Sequence, residues 1–187
     1  TAQETPGLWR NGSMVPKSTA AREAAYGLPA AGQRVLVVDA DLYGLPQHPL
    51  FPTADPRLRT HAGKIVPHLV DGIEVVSIGH LLGEQEALTW RGIFLEPVLH
   101  MLAEHVESAA DVVLIDMPPG TGDMWRAVST LCPQARFLVV ATAGDLAIAD
   151  VRRAVFALSG TERARLVGRV DNLASRALGA GHRIPPW

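Results

Sequence analysis

The sequence predicts an α/β protein built on a mostly parallel sheet, and three observations lead there. Short apolar runs alternate with helical patterns along the 187 residues, the rhythm of βαβ units. The runs are apolar almost throughout rather than alternating, as strands covered on both faces require. Two of them end in aspartate followed by glycine-bearing loops, and open parallel sheets collect their ligands outside the carboxyl ends of the strands.

In chain order, the strand candidates are Val35–Asp39 (VLVVD), Glu74–Ile78 (EVVSI), Asp111–Asp116 (DVVLID) and Phe137–Thr142 (FLVVAT), with a weaker run at Leu166–Val170. Leu95, Val98, Leu99, Leu102 and Val106 recur at helical spacing. So do Ile148, Val151, Val155 and Leu158, with Ser159-Gly160 as the stop. The proline- and histidine-rich stretch from Leu45 to Pro67 reads as a long loop or excursion. No repeat or linker divides the chain, so residues 1–187 are expected to form a single domain.

Composition narrows the function classes. With 48% apolar and 19% charged residues the chain has enough core to fold, which excludes disorder. A net charge of −2 gives no electrostatic reason to expect nucleic acid. No apolar run approaches the roughly 18 residues of a membrane span, and no signal-peptide pattern opens the sequence, so no membrane partner is expected. One cysteine excludes an internal disulfide framework and places the chain in a reducing, cytoplasmic compartment.

The chemistry lies after the two aspartate-ended strands. VLVVD runs into Ala40-Asp41-Leu42-Tyr43-Gly44, and VVLID into Met117-Pro118-Pro119-Gly120-Thr121-Gly122-Asp123. Asp39, Asp41, Asp116 and Asp123 are therefore expected at one sheet edge, where carboxylates beside glycine-rich backbone suit hydrated Mg²⁺ and a nucleotide phosphate. One strand-end aspartate commonly just begins a turn; two with the same sequel favour a ligand site.

At Pro118–Asp123, PPGTGD after a strand ending in Asp resembles the Walker B and switch II segment of the Mrp/ApbC family, MinD/ParA-like P-loop ATPases implicated in iron–sulfur cluster carriage. DADLYG at Asp39–Gly44 is similar to that family's switch I, Gly63–Pro67 and Val76–Gly79 to the stretch that follows, Trp90-Arg91-Gly92 to its WRG motif, and Asp145–Arg153 to a later helix. Asp171-Asn172 resembles its adenine-contacting element. The resemblance covers residues 17–175 and implies a three-layer P-loop NTPase fold of the SIMIBI/MinD type. It further implies ATP and Mg²⁺ as cofactors, a homodimer, and iron–sulfur assembly or recipient proteins as partners.

Carried over by position, Lys17 would neutralise the β/γ-phosphates, Ser18 would bind Mg²⁺ and Thr19 would lie beside the nucleotide. Asp39 and Asp41 would hold Mg²⁺-bound water and position the attacking water. Asp116 would anchor the Walker B end, the Gly120 N–H would sense the γ-phosphate, and Asn172 would meet the adenine edge.

The front of the chain departs from the pattern. Where the family's phosphate loop reads GKGGVGKST, residues 11–19 read NGSMVPKST. Asn11, Ser13, Met14 and Pro16 stand at the glycine positions, and Gly12 at the signature lysine. Pro16 has no N–H to offer a phosphate. Residues 4–10 lack a strand pattern, Pro29 should end the first helix, and the family's CxxC and final elements do not follow Asn172, so both ends read as eroded or truncated. Cluster binding by this chain alone is not expected. Three readings remain: an Mrp/ApbC-like ATPase serving cluster assembly or transfer, a catalytically inactive relative acting as an interaction subunit, and a ParA/MinD-type positioning ATPase. Of the remaining candidates, Cys132 reads as a packed thiol, His100 and Glu104 as a solvated pair, and Trp90-Arg91 as either part of the site or an interface patch.

Overall fold

The structure is a computed structural model that describes residues 16–41, 51–52, 57, 59–80, 95–117, 123–142, 156 and 165–172. Helix α1 (Pro16–Gly27) begins on a proline, whose missing N–H costs nothing at the first helical position, and continues through alanine-rich sequence. It stops at Gly27, and Pro29 opens a short 3₁₀ turn, Pro29–Ala31, closed by Gly32 at φ +78°.

Strand β1 (Val35–Asp39) is the centre of the molecule, with four of its five residues buried. Around it lie β5 (Ile73–Ser77) and β6 (Val112–Asp116), both parallel to it, as two-sided apolar strands predict. A short β4 (His68–Val70) runs antiparallel to β5, giving the order β4-β5-β1-β6. β7 (Arg136–Thr142) and β8 (Arg165–Asn172) form a second parallel pair. Helices α2 (Leu95–His105) and α3 (Asp123–Leu131) flank β6 in the chain.

Alternation along β1 builds two cores. Val35 and Val37 pack with Ile73, Val75, Phe51 and Ala25 of α1. Leu36 and Val38 face the other way, onto Val98, Leu99 and Leu102 of α2 and Ala127 and Val128 of α3. Helices thus cover both faces of the parallel strands, which is the three-layer arrangement expected. Each fully buried aliphatic side chain contributes roughly 1.5–3 kcal/mol. Phe137 of β7 is buried in the α2–α3 core, and Leu166 of β8 packs against it.

Every predicted strand is present within a residue or two of its expected bounds. The structure corrects the reading of 45–67 as loop throughout, because its last part is a hairpin of β2 (Arg59–His61) and β3 (Lys64–Val66). Its turn, Ala62-Gly63, has φ of +47° and +78°. The β4–β5 turn, Asp71-Gly72, has +50° and +82°. Two positive φ values are what a two-residue hairpin turn of the right twist demands. Three-residue strands carry too little periodicity to be read from sequence, and Asp-Gly was the available signal. Helix α3 was also unanticipated. The second predicted helix, Ile148–Leu158, lies outside the described residues apart from Phe156. No described helix is long and apolar enough to cross a membrane.

Candidate functional site

The three central parallel strands end level with one another. Asp39 pairs in register with Asp116 on one side and Ser77 on the other, so three polar side chains share one edge of an otherwise apolar sheet. One residue on, the Ala40 N–H donates to the Asp116 carbonyl at 2.9 Å, which carries the pairing out to Asp41.

The Asp39 carboxylate is gripped at both oxygens. Oδ1 accepts the Asp41 N–H at 3.1 Å, and Oδ2 accepts the Ser77 hydroxyl at 3.0 Å. Burial pushes its pKa up; the two hydrogen bonds oppose that, and the nearby carboxylates of Asp116 and Asp41 add to it.

The first turn of α1 meets this edge. Lys17 Nζ lies 3.0 Å from Asp41 Oδ2 and 2.8 Å from Asp116 Oδ1, and the Ser18 hydroxyl donates to Asp116 Oδ2 at 2.5 Å. The Asp116 side chain is fully buried, whereas that of Lys17 keeps 28% of its exposure. The Lys17–Asp116 contact is electrostatic, because Asp116 Oδ1 has no partner in hydrogen-bond geometry. Two carboxylates pair with one lysine here and Asp39 adds a third beside them, leaving negative charge in excess next to the positive end of a helix.

That composition fits a metal-bound phosphate. Asp39, Asp41, Asp116 and the Ser18 hydroxyl are hard oxygen donors, and a buried carboxylate oxygen without a hydrogen bond is open to one more partner. Lys17 and the α1 N-terminus suit the phosphate. Among the described residues no three His, Cys, Asp or Glu side chains form a metal cage. Mg²⁺ does not need one, since it is usually held by one or two carboxylates with waters and substrate phosphates.

Of the residues singled out from sequence, the structure brings together Lys17, Ser18, Asp39, Asp41 and Asp116. Thr19 lies exposed on α1 beside them. Asn172 ends β8, and Gly120 lies outside the described residues, as do the altered phosphate loop before Pro16 and Trp90-Arg91. Ser77 was missed as a site residue, although a single hydroxyl closing the run EVVS was a legible signal. Elsewhere, His100 and Glu104 are both exposed, and Cys132 is half-buried just after α3.

A parallel three-layer sheet whose strand-end aspartates meet a lysine and serine on the first turn of a helix defines the P-loop NTPase class. Residues 12–183 match the family model of the ParA group described as the NUBPL iron-transfer P-loop NTPase, and the chain belongs to that family. The iron-sulfur cluster carrier protein of Pseudomonas fragi is 34% identical over 164 residues, covering 86% of this chain and 56% of that protein. The carrier protein of Mycobacterium leprae is 33% identical over 171 residues, 91% of this chain and 44% of that protein. The chain thus spans about half the length of these relatives. Among solved structures, a nucleotide-binding protein in complex with ADP from Archaeoglobus fulgidus superimposes with a TM-score of 0.59 at 25% identity, over 82% of this chain and 60% of that one. A cobyrinic acid a,c-diamide synthase from Mycobacterium smegmatis shares the fold, with a TM-score of 0.51 at 22% identity, over 86% of this chain and 70% of that one.

Proposed function

We propose that this chain is an Mrp/ApbC-like nucleotide-binding protein that takes ATP with Mg²⁺ at the α1–β1–β6 edge and serves iron–sulfur cluster assembly or transfer. One observation carries the reading: Lys17 and Ser18 reach from the first turn of α1 to Asp41 and Asp116 at the ends of two parallel strands. Relatives that share its family are named iron-sulfur cluster carriers, and a structural neighbour holds ADP.

In this reading Lys17 offsets charge on the β- and γ-phosphates, and Asp41 orients the attacking water. Ser18, Asp39 and Asp41 would hold Mg²⁺ and its water shell, and the ion when bound would neutralise phosphate charge. Asp116 anchors Ser18 and pairs with Lys17. Phosphoryl transfer asks mainly for positioning and charge neutralisation, which these residues supply without a covalent step. A cytoplasmic homodimer, with cluster-assembly or recipient proteins as partners and neither nucleic acid nor membrane, completes the proposal.

A second reading, an inactive interaction subunit, is favoured by Pro16. It serves as the first residue of α1 but offers no N–H at a position where a phosphate loop donates one. Phosphate release from ATP separates the two. Turnover that requires Mg²⁺ and disappears in Asp41→Ala supports the first reading; tight nucleotide binding without turnover supports the second.

A further inference from the structure

We infer that Ser77 is a positioning residue for the metal-facing carboxylate of Asp39. The inference rests on the MgATP reading above and extends it to a side chain to which that reading gives no part.

Ser77 ends β5, in register with Asp39 across the parallel pair. Its hydroxyl donates to Asp39 Oδ2 at 3.0 Å, and its oxygen accepts the Gly79 N–H at 3.1 Å. The Gly79 bond fixes which way the hydroxyl is presented, since an oxygen that accepts from one side directs its hydrogen elsewhere. Asp39 Oδ1 is meanwhile occupied by the Asp41 N–H. Two arms therefore converge on Asp39, Gly79 N–H to Ser77 Oγ–H to Oδ2 from one side and the Asp41 N–H to Oδ1 from the other, and they join the 3₁₀ turn Ile78–His80 to the segment that carries Asp41. The turn itself is anchored, because Ile78 is fully buried in the α2–α3 core. Ser77 therefore transmits a rigid core position to the orientation of Asp39. Without the hydroxyl, Asp39 keeps, among the described residues, the local Asp41 contact, and its carboxylate gains freedom to rotate about the Cβ–Cγ bond.

A Cβ placed on Gly79 would come within 3.3 Å of Ser77 Oγ. Threonine keeps the hydroxyl; alanine and valine do not.

The test is titration of Mg²⁺ against a fluorescent ATP analogue bound to wild-type, Ser77→Ala and Ser77→Thr chains, with analogue affinity in chelator measured alongside. The expected result is a Mg²⁺ midpoint raised roughly tenfold in Ser77→Ala, as loss of one hydrogen bond to a charged group implies, with the chelator affinity unchanged and Ser77→Thr restored toward wild type. The unchanged chelator affinity shows that the fold and Lys17 are intact. A wild-type midpoint in Ser77→Ala overturns the inference while leaving the nucleotide reading standing, and so does a Ser77→Thr chain that fails like Ser77→Ala. A wild-type chain that binds no analogue in either condition overturns the nucleotide reading, and this inference with it.

Discussion

Lys17 is the residue on which the site turns, and its two carboxylate partners set what phosphate binding must overcome. To reach a phosphate it leaves Asp41 at 3.0 Å and Asp116 at 2.8 Å. Removing one competitor should therefore help a nucleotide that comes without metal. Asp41→Asn is expected to tighten ATP binding in chelator by about threefold to tenfold, the effect of losing one partly screened carboxylate, while abolishing Mg²⁺-dependent turnover. Weaker binding in chelator would contradict the competition. Asp39 makes a second prediction, on stability. Its folded pKa is raised, chiefly by burial, so any stability it contributes exists below its unfolded pKa and is lost as pH rises through the folded value. At neutral pH the ionised carboxylate costs stability. Asp39→Asn should accordingly melt higher than wild type at pH 7, with a gap that narrows as the pH falls toward about 4. An equal gap at both pH values would show that the charge is not the cause.

Among the elements, the ones with a strong physical signature were readable before any coordinates. β1 and β5 bury side chains on both faces; β6 and β7 leave Val113 and Leu138 exposed but carry the same continuous apolar run, which is hard to mistake. The α2 stripe of Val98, Leu99 and Leu102 was as clear, since all three are buried in one core. The hairpin β2–β3 was not, because β2 is exposed at all three residues and has no apolar face to announce it. Its one buried anchor is Ile65 of β3, and a two-residue turn joins its strands. The β4–β5 turn gives a prediction of its own: Gly72, at φ +82° with open space around its Cα, permits alanine sterically but not conformationally. Gly72→Ala should cost about 1–2 kcal/mol in chemical unfolding, from backbone strain alone. By contrast Ile78→Ala, which empties a fully buried position in the core that anchors Ser77, should cost about 2–5 kcal/mol. A larger loss at Gly72 than at Ile78 would reverse this ordering.

For the whole molecule, the site was legible because a parallel sheet sends its strand ends to one edge, so two aspartate-terminated runs were bound to meet. What the sequence left open was the pairing of Lys17 with those aspartates rather than with a ligand, and the part of Ser77, since both are contacts between elements far apart in the chain. The opposite end of the sheet carries no such chemistry and is closed by an exposed ion pair. Arg34 bonds Asp111 through both guanidinium and backbone, which lowers the Asp111 pKa to about 2. A depressed carboxylate stabilises above its unfolded pKa and loses that contribution as the pH falls toward about 2. Arg34→Met should therefore lower the melting temperature slightly at pH 7 and by less at pH 2.

The central claim is that the Lys17–Ser18–Asp41–Asp116 cluster is a nucleotide site, and calorimetric titration of MgATP into the purified chain tests it most directly, with Lys17→Ala alongside. The account predicts saturable binding near one nucleotide per chain, weakened at least about tenfold in Lys17→Ala, as loss of a charge-assisted contact to phosphate requires. No heat of binding at millimolar MgATP, or equal affinity in the two chains, would contradict it.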